Sequence, residues 1–175
     1  MKKVITTTVF LLISGILLPQ DRIKDEVAIN AVVDAMIYSW NHHNYDDLEN
    51  YTTENTDWVN VVGMWWKGRK ESQYAHQVYH NTIFKTSVME KKSVAIRFLT
   101  KDVAIAHVFL YSYDSDPNPH PLPDGKIPGP SDGLATLVFV KQNRKWLMTA
   151  GQNVIIDKGA EPFDPIKQMT TNKIH

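Results

Sequence analysis

Three histidines offer the most usable chemistry in this chain. His76 and His80 stand four residues apart in ESQYAHQVYHNTIF, and His107 sits in VAIAHVFLYSY, a run that alternates like a strand. Imidazole titrates near neutral pH, and a partly apolar surrounding moves that titration within the range useful to a general acid or base. His76, His80 and His107 are therefore candidate bases, with Asp57 as the carboxylate that would orient one of them. Asn60, Gln152 and Asn153 carry amides suited to polarising a substrate carbonyl. The same three imidazoles could instead ligate a metal, but the i, i+4 pair is an unspecific signal, and Gln77 follows His76 where H-E-x-x-H would need Glu. The plainer alternative is a set of packed histidines satisfied by backbone, Asp57 or Asn60. No metal and no cofactor is assigned, and the chain carries no G-x-G-x-x-G fingerprint, phosphate loop or Ser-His-Asp arrangement.

The elements that must position these groups start with Asp57 to Phe84. Val59, Val61 and Met64 with Gly63 and Gly68 predict a strand and turns, followed by a helix on which His76, His80, Ile83 and Phe84 share one inward face. Trp40, Trp58, Trp65 and Trp66 supply core and rim, and aromatic walls with a few polar anchors suit a small-molecule pocket. Trp40, His43, Met64, Trp65 and Trp66 are its candidate ligand contacts. Tyr111 and Tyr113 share the His107 face, and Arg97 could bind a carboxylate or lie on the sheet surface.

Upstream, Ile29, Val32, Val33, Met36 and Trp40 predict a long amphipathic helix from Asp21 whose face extends to His43. Asp25 and Glu26 suit its first turns, off the apolar stripe. Asn44 to Tyr51 reads as a short second helix with Tyr45 and Leu48 facing in, and Thr52 to Thr56 as a polar connection. Strands are expected at Ser93 to Leu99, Val103 to Tyr113, Leu134 to Val140 and Trp146 to Ile156, the last two forming a hairpin. In the third strong alternation Trp146, Met148, Ala150 and Gln152 would share a face. The Pro-rich stretch between Tyr113 and Leu134 reads as a semi-rigid flap.

The chain has 175 residues, 43% hydrophobic and 22% charged, which suits one globular domain. Lys2 and Lys3 precede an apolar run from Val4 to Leu18 that is short for a membrane span and stops at Pro19. This is read as a secretory signal peptide over 1–20, then a domain over 21–157 and a loosely attached tail over 158–175; an uncleaved anchor is the rival. The expected location is secreted or periplasmic, with no membrane span after cleavage. Without Lys2 and Lys3 the formal charge moves from zero to −2, and no basic run remains for nucleic acid. The absence of cysteine excludes disulfides, a thiolate nucleophile and a Cys-ligated zinc.

Helices first and long antiparallel strands after them indicate an α+β domain. WNHHN at 40–44, DWVNVVGMWWKG at 57–68, His76 and His80 with Thr82 and Phe84, and the run from Trp146 to Asn153 together resemble the SgcJ/EcaC group of SnoaL-like proteins, in the nuclear transport factor 2-like superfamily. That resemblance, over about residues 25–156 with the VNVVGMWW-x-G run its most specific part, implies a cone-shaped barrel. A curved antiparallel sheet would wrap around about three N-terminal helices, enclosing a pocket for a small cyclic or aromatic molecule, and would often form homodimers through the sheet. It fixes no single reaction. His43 is followed by Asn44 where the group tends to have Asp, so a carboxylate that could orient His43 is missing. A non-catalytic association module with a vestigial pocket is the other class of function kept open.

Overall fold

Strand alternation and one helix stripe decide the architecture. The structure, a computed structural model, describes residues 19–119, 121, 129–166 and 169. The signal-peptide reading and the middle of the Pro-rich flap fall outside the described residues. Among the described residues no helix is long and apolar enough to cross a membrane.

The first helix, α1 (Pro19–Asn41), buries Ile29, Val32, Val33 and Ile37 at helical spacing. It lies across a six-stranded sheet made of β1 (Thr52–Val59), β2 (Trp65–Trp66), β3 (Ser87–Phe98), β4 (Val103–Asp114), β5 (Ser131–Gln142) and β6 (Lys145–Ile155). The second helix, α2 (Gly68–Asn81), follows β2 and packs on β1. Strand order is β2-β1-β6-β5-β4-β3, so the curved sheet wraps the helices yet remains open. Ala104, Ala106, Val108 and Leu110 of β4 face the helices with Ala135, Leu137 and Phe139 of β5. The alanines leave room for Ile29 and Val33 to approach, and Trp146 and Met148 complete the core.

Several expectations change. Asn44–Tyr51 is not an α-helix: a 3-10 turn forms at Leu48–Asn50, so among the described residues two α-helices stand where three were expected and only α1 precedes the sheet. Tyr45 and Leu48 are buried as expected, at 3% and 4% exposure. Thr52–Thr56 is strand rather than connection, because β-branched Thr52, Thr53 and Thr56 bury against the sheet and Thr52 pairs with Met148. This β1–β6 pairing is parallel, the one departure from an antiparallel sheet among the described pairs. The strand ends at Val59, so Val61 lies in the turn that Gly63 closes with φ +85°. Helix α2 ends at Asn81, leaving Ile83 and Phe84 beyond it.

Two misread faces have local causes. The β5–β6 register shifts between Val138 and Phe139, where Phe139 pairs with Met148 and Val138 with Ala150. Thr149 is the extra residue, so Trp146 and Met148 face the helices while Ala150 and Gln152 turn outward. Asp25 lies on the apolar stripe of α1, not off it. Its Oδ1 accepts hydrogen bonds from Lys141 Nζ at 2.6 Å and the Trp146 indole at 2.8 Å, which makes its burial tolerable.

Gly151 faces the helices between Leu137 of β5 and Trp58 of β1. A Cβ there would stand 2.2 Å from the Trp58 ring. Gly151→Ala should therefore cost about 2 kcal/mol of stability by overpacking, read as a lower urea midpoint with an unchanged slope.

Candidate functional site

Helix α2 and the segment after α1 bring four rings into a continuous row of contacts. His76 stacks on Tyr45 at 4.9 Å between ring centres, Tyr45 meets His80 at 5.1 Å, and His80 meets His43 at 5.1 Å. Trp58 and Trp66 stand edge-on to His76 at 5.3 and 5.0 Å. Trp40 stands edge-on to His80 at 4.5 Å, with Phe84 beside both. The Trp-Trp pair splits as adjacent strand residues must: Trp66 pairs with Trp58 and turns to His76, whereas Trp65 turns out.

The hydrogen bonds decide what each imidazole can do. His76 Nδ1 is 2.7 Å from the carbonyl oxygen of Ser72, one helical turn earlier. A carbonyl only accepts, so Nδ1 holds the proton, and Nε2, which makes no hydrogen bond to the described residues, keeps a free lone pair. Burial lowers the His76 pKa to about 4, the Ser72 bond partly opposing it, so the ring is neutral at pH 7. His80 is 2% exposed, with Nδ1 2.8 Å from His43 Nδ1 and Nε2 3.0 Å from the Tyr45 hydroxyl. Its pKa falls to about 3 through burial and then the neighbouring His43 and His76. His43 is lowered by burial and by His42, and burial pushes the Tyr45 phenol well up. This array is neutral and can accept a proton at His76.

The remaining candidates divide between the two faces. His107 is exposed on the outer face, 3.2 Å from Thr136 Oγ1, because the odd-numbered residues of β4 point away from the helices. It does not join His76 and His80, and a three-histidine metal site does not assemble; among the described residues no three His, Cys, Asp or Glu are grouped to hold an ion. Arg97, Tyr111 and Gln152 share that outer face, with Lys92 over the Tyr111 ring. Asn153 faces inward beside Ala135, one row beyond the end of β1.

Asp57 orients no histidine. Its carboxylate accepts from the Trp65 indole at 3.1 Å and from the Gly68 N–H at 3.2 Å, fixing the entry into α2. Asn60 Oδ1 accepts from the N–H groups of Val62 and Met64, so it builds the turn instead of facing a substrate carbonyl. Met64 is exposed and its sulfur accepts from the Tyr79 hydroxyl. Two residues outside the sequence-derived set prove central: Tyr45, and Gln77, whose side chain holds the backbone of residues 43 and 45. Tyr45 was legible as inward-facing, but nothing in periodicity shows which atom its hydroxyl meets.

No family model and no curated protein matches the chain. Solved structures do. An uncharacterised protein of cystatin-like fold from Caulobacter vibrioides superposes with a TM-score of 0.75 at 28% identity, over 83% of this chain and 99% of that one. A nuclear transport factor 2-like protein of cystatin-like fold from Novosphingobium aromaticivorans matches with a TM-score of 0.67 at 12% identity, over 81% and 88%. The chain has the nuclear transport factor 2-like fold. The hexachlorocyclohexane dehydrochlorinase LinA-type3 from Novosphingobium barchaimii LL02 shares it, with a TM-score of 0.63 at 11% identity over 79% and 90%.

On this nuclear transport factor 2-like scaffold two hollows beside α2 are open grooves rather than the expected enclosed pocket, and His76 lines neither of them. One, of about 290 Å³, is lined by Asp46, Lys70, Gln73, Tyr74 and Gln77. The other, of about 360 Å³, is lined by Trp66, Glu71, Tyr74, Ala75, Val78 and Tyr79. Trp66 is thus a wall of the second groove and a neighbour of His76 at once.

Packing neutral imidazoles, His80 buried and His76 half-buried, among aromatic rings makes the fold acid-sensitive. The native pKa of His76 and His80 lies below the ordinary 6.5, so their contribution to stability is complete above about pH 6.5 and is lost as pH falls towards 4. For His76 alone the loss between pH 7 and 5 is about 2 kcal/mol. Urea unfolding at both pH values should show it, and the His76→Phe variant should show a correspondingly smaller drop.

Proposed function

We propose that this chain binds a small cyclic or aromatic organic molecule beside His76 and that His76 Nε2 accepts a proton from it without a cofactor. One observation carries the reading: an imidazole of fixed tautomer, neutral, with its second nitrogen unbonded, between Trp58, Trp66 and Tyr45. Aromatic walls favour a flat or cyclic apolar ligand, and His76 Nε2, with no hydrogen bond to the described residues and the ring's proton on Nδ1, has a lone pair to accept a proton. Entry is from the groove that Trp66 walls, since the same ring stands edge-on to His76. Asn153, on the inner face of β6, is the amide available to a ligand carbonyl. A neighbour in fold named as a dehydrochlorinase of a cyclic organic compound is an analogy in the same direction. The finer placement in the SgcJ/EcaC group, and export through the 1–20 leader to the periplasm or medium, belong to this proposal and rest on the sequence runs described above.

The outer sheet face favours a second reading. Ile105, Val138, Leu134, Val154 and Phe109 make it apolar around the His107–Thr136–Gln152 row, with Phe109 42% and Val154 45% exposed. A face of this kind suits a second copy of the chain, giving a homodimer.

Native mass spectrometry of the purified protein, incubated with cyclohexanone and with phenol as probes, tests both. Ligand binding predicts an added probe mass on the wild type that falls about ten-fold or more in His76→Ala. An unliganded dimer, unaffected by His76→Ala and split into monomers by Phe109→Glu, would instead assign the chain to association.

A further inference from the structure

Strand β3 is an edge of the sheet, and the two halves of that edge are finished differently. The N–H of Leu99 bonds to the Val103 carbonyl at 2.9 Å, which sets the alternation of the ladder to β4. Ser93, Ala95 and Arg97 turn their backbone groups to β4, and Val94, Ile96 and Phe98 turn theirs outward. In the first half the bulge between Lys91 and Ser93 resets this alternation, and Met89 points outward. There the Asn41 side chain stands in for a strand. Its amide donates to the Met89 carbonyl at 2.9 Å and accepts from the Met89 N–H at 2.8 Å, while Lys91 pairs with Asp34. In the second half the outward groups of Val94, Ile96 and Phe98 have no hydrogen-bond partner among the described residues.

The helix beside this edge changes in step. Asn41, Asp34, Val27 and Ile23 stand at intervals of seven and four residues, so they share one stripe of α1. Its polar members reach β3, whereas Val27 and Ile23 are 65% and 62% exposed. The guanidinium of Arg22 lies over the Phe98 ring, 4.8 Å from its centre, which sets this apolar end of the stripe beside the bare half of the edge. Val94, Ile96 and Phe98 are themselves only half-buried, although Ala104, Ala106 and Val108 opposite them on β4 are fully buried. A bare edge above an apolar floor is a place for an added strand.

We propose that the added strand is β3 of a second copy of this chain, paired antiparallel about a two-fold axis at Ile96. Outward residues must face one another, and this register uses all three: Ile96 opposes the partner's Ile96, and Val94 opposes the partner's Phe98. Moving the axis to Arg97 would set two guanidinium groups face to face, and moving it to Ala95 would set Phe98 against Lys92 in the bulge. With the axis at Ile96, Arg97 opposes the partner's Ala95. Because Arg22 lies at Phe98 and Asp34 at Lys91, the part of α1 level with Ile96 falls between Ile23 and Val27. The same axis therefore brings Ile23 to the partner's Val27, and Val27 to the partner's Ile23. This match of one surface to its own rotated copy selects a second chain over an unrelated peptide. The pairing uses neither the His76 site nor the outer face of the sheet.

Self-association is read by native mass spectrometry and sedimentation of the Phe109→Glu variant, which keeps the outer face out of the measurement. That variant should remain a dimer, and adding Val27→Glu should leave only monomer with an unchanged circular dichroism spectrum. Amide exchange locates the contact: the N–H groups of Val94, Ile96 and Phe98 should be slow in the dimer and fast in the Val27→Glu monomer, with Ala95 and Arg97 slow in both. The chain has no cysteine, so Ala95→Cys together with Arg97→Cys should give a disulfide-linked dimer on mild oxidation, the two positions facing each other across the axis. Linkage by either single variant would move the axis and overturn this register. A monomeric Phe109→Glu, or a dimer whose three outward amides exchange freely, overturns the proposal. Slow outward amides in a monomer that carries a peptide mass would give the edge to another occupant and overturn it too.

Discussion

A buried imidazole must stay neutral and must hand its one N–H to an acceptor, and this double condition governs the region around α2. His76 satisfies it through the Ser72 carbonyl one turn earlier, at 2.7 Å. His80 satisfies it through His43 and Tyr45. The arrangement of the neighbouring segments follows: Tyr45 is buried beside both rings, His43 accepts a left-handed backbone, and Gln77 spans to residues 43 and 45. Protonating either ring, His80 buried and His76 half-buried, would replace an acceptor by a second donor among aromatic neighbours. That penalty is what holds both rings in the state a base requires.

The sheet separates this chemistry from everything on its other side. Even-numbered residues of β4 are small or aliphatic and meet α1, while His107, Phe109 and Tyr111 face away. The inner row Ala106, Leu137, Gly151 and Trp58 runs across four strands, and the absent side chain at Gly151 gives the Trp58 ring its place beneath His76. The buried Asp25 with Lys141 and Trp146 pins α1 to the opposite end. Thus Gly151 acts on the aromatic cluster through Trp58, while the core alanines and the ion pair seat α1 on the sheet. The outer face, apolar about a polar row, lies on the other side of the sheet from that cluster.

Much of this was legible in the sequence because long elements declare themselves by period. The stripe of α1, the inward pair His76 and His80 and the alternation of β4 were all readable from spacing. The failures came where no period operates. The Thr149 bulge reverses the face of Gln152, and no residue type announces it. The parallel β1–β6 contact turns a polar threonine stretch into strand through tertiary pairing. Grouping His107 with His76 and His80 required knowing which face of β4 the helices cover. Asp57 and Asn60 carry polar groups whose occupancy no spacing shows, and local backbone N–H groups claim them. The resemblance pointed to His43 as lacking a carboxylate partner; the structure supplies His80 in that place.

The central claim is that His76 is a neutral base with its proton on Nδ1. It is tested most directly by following the His76 ring resonances through a pH titration. A ring that stays neutral and Nδ1-protonated at pH 6 and titrates only near its native value of about 4 is the predicted result. Titration near the ordinary 6.5, or a proton found on Nε2, would contradict it, since His76 would then be a solvated ring or a donor with no lone pair to offer.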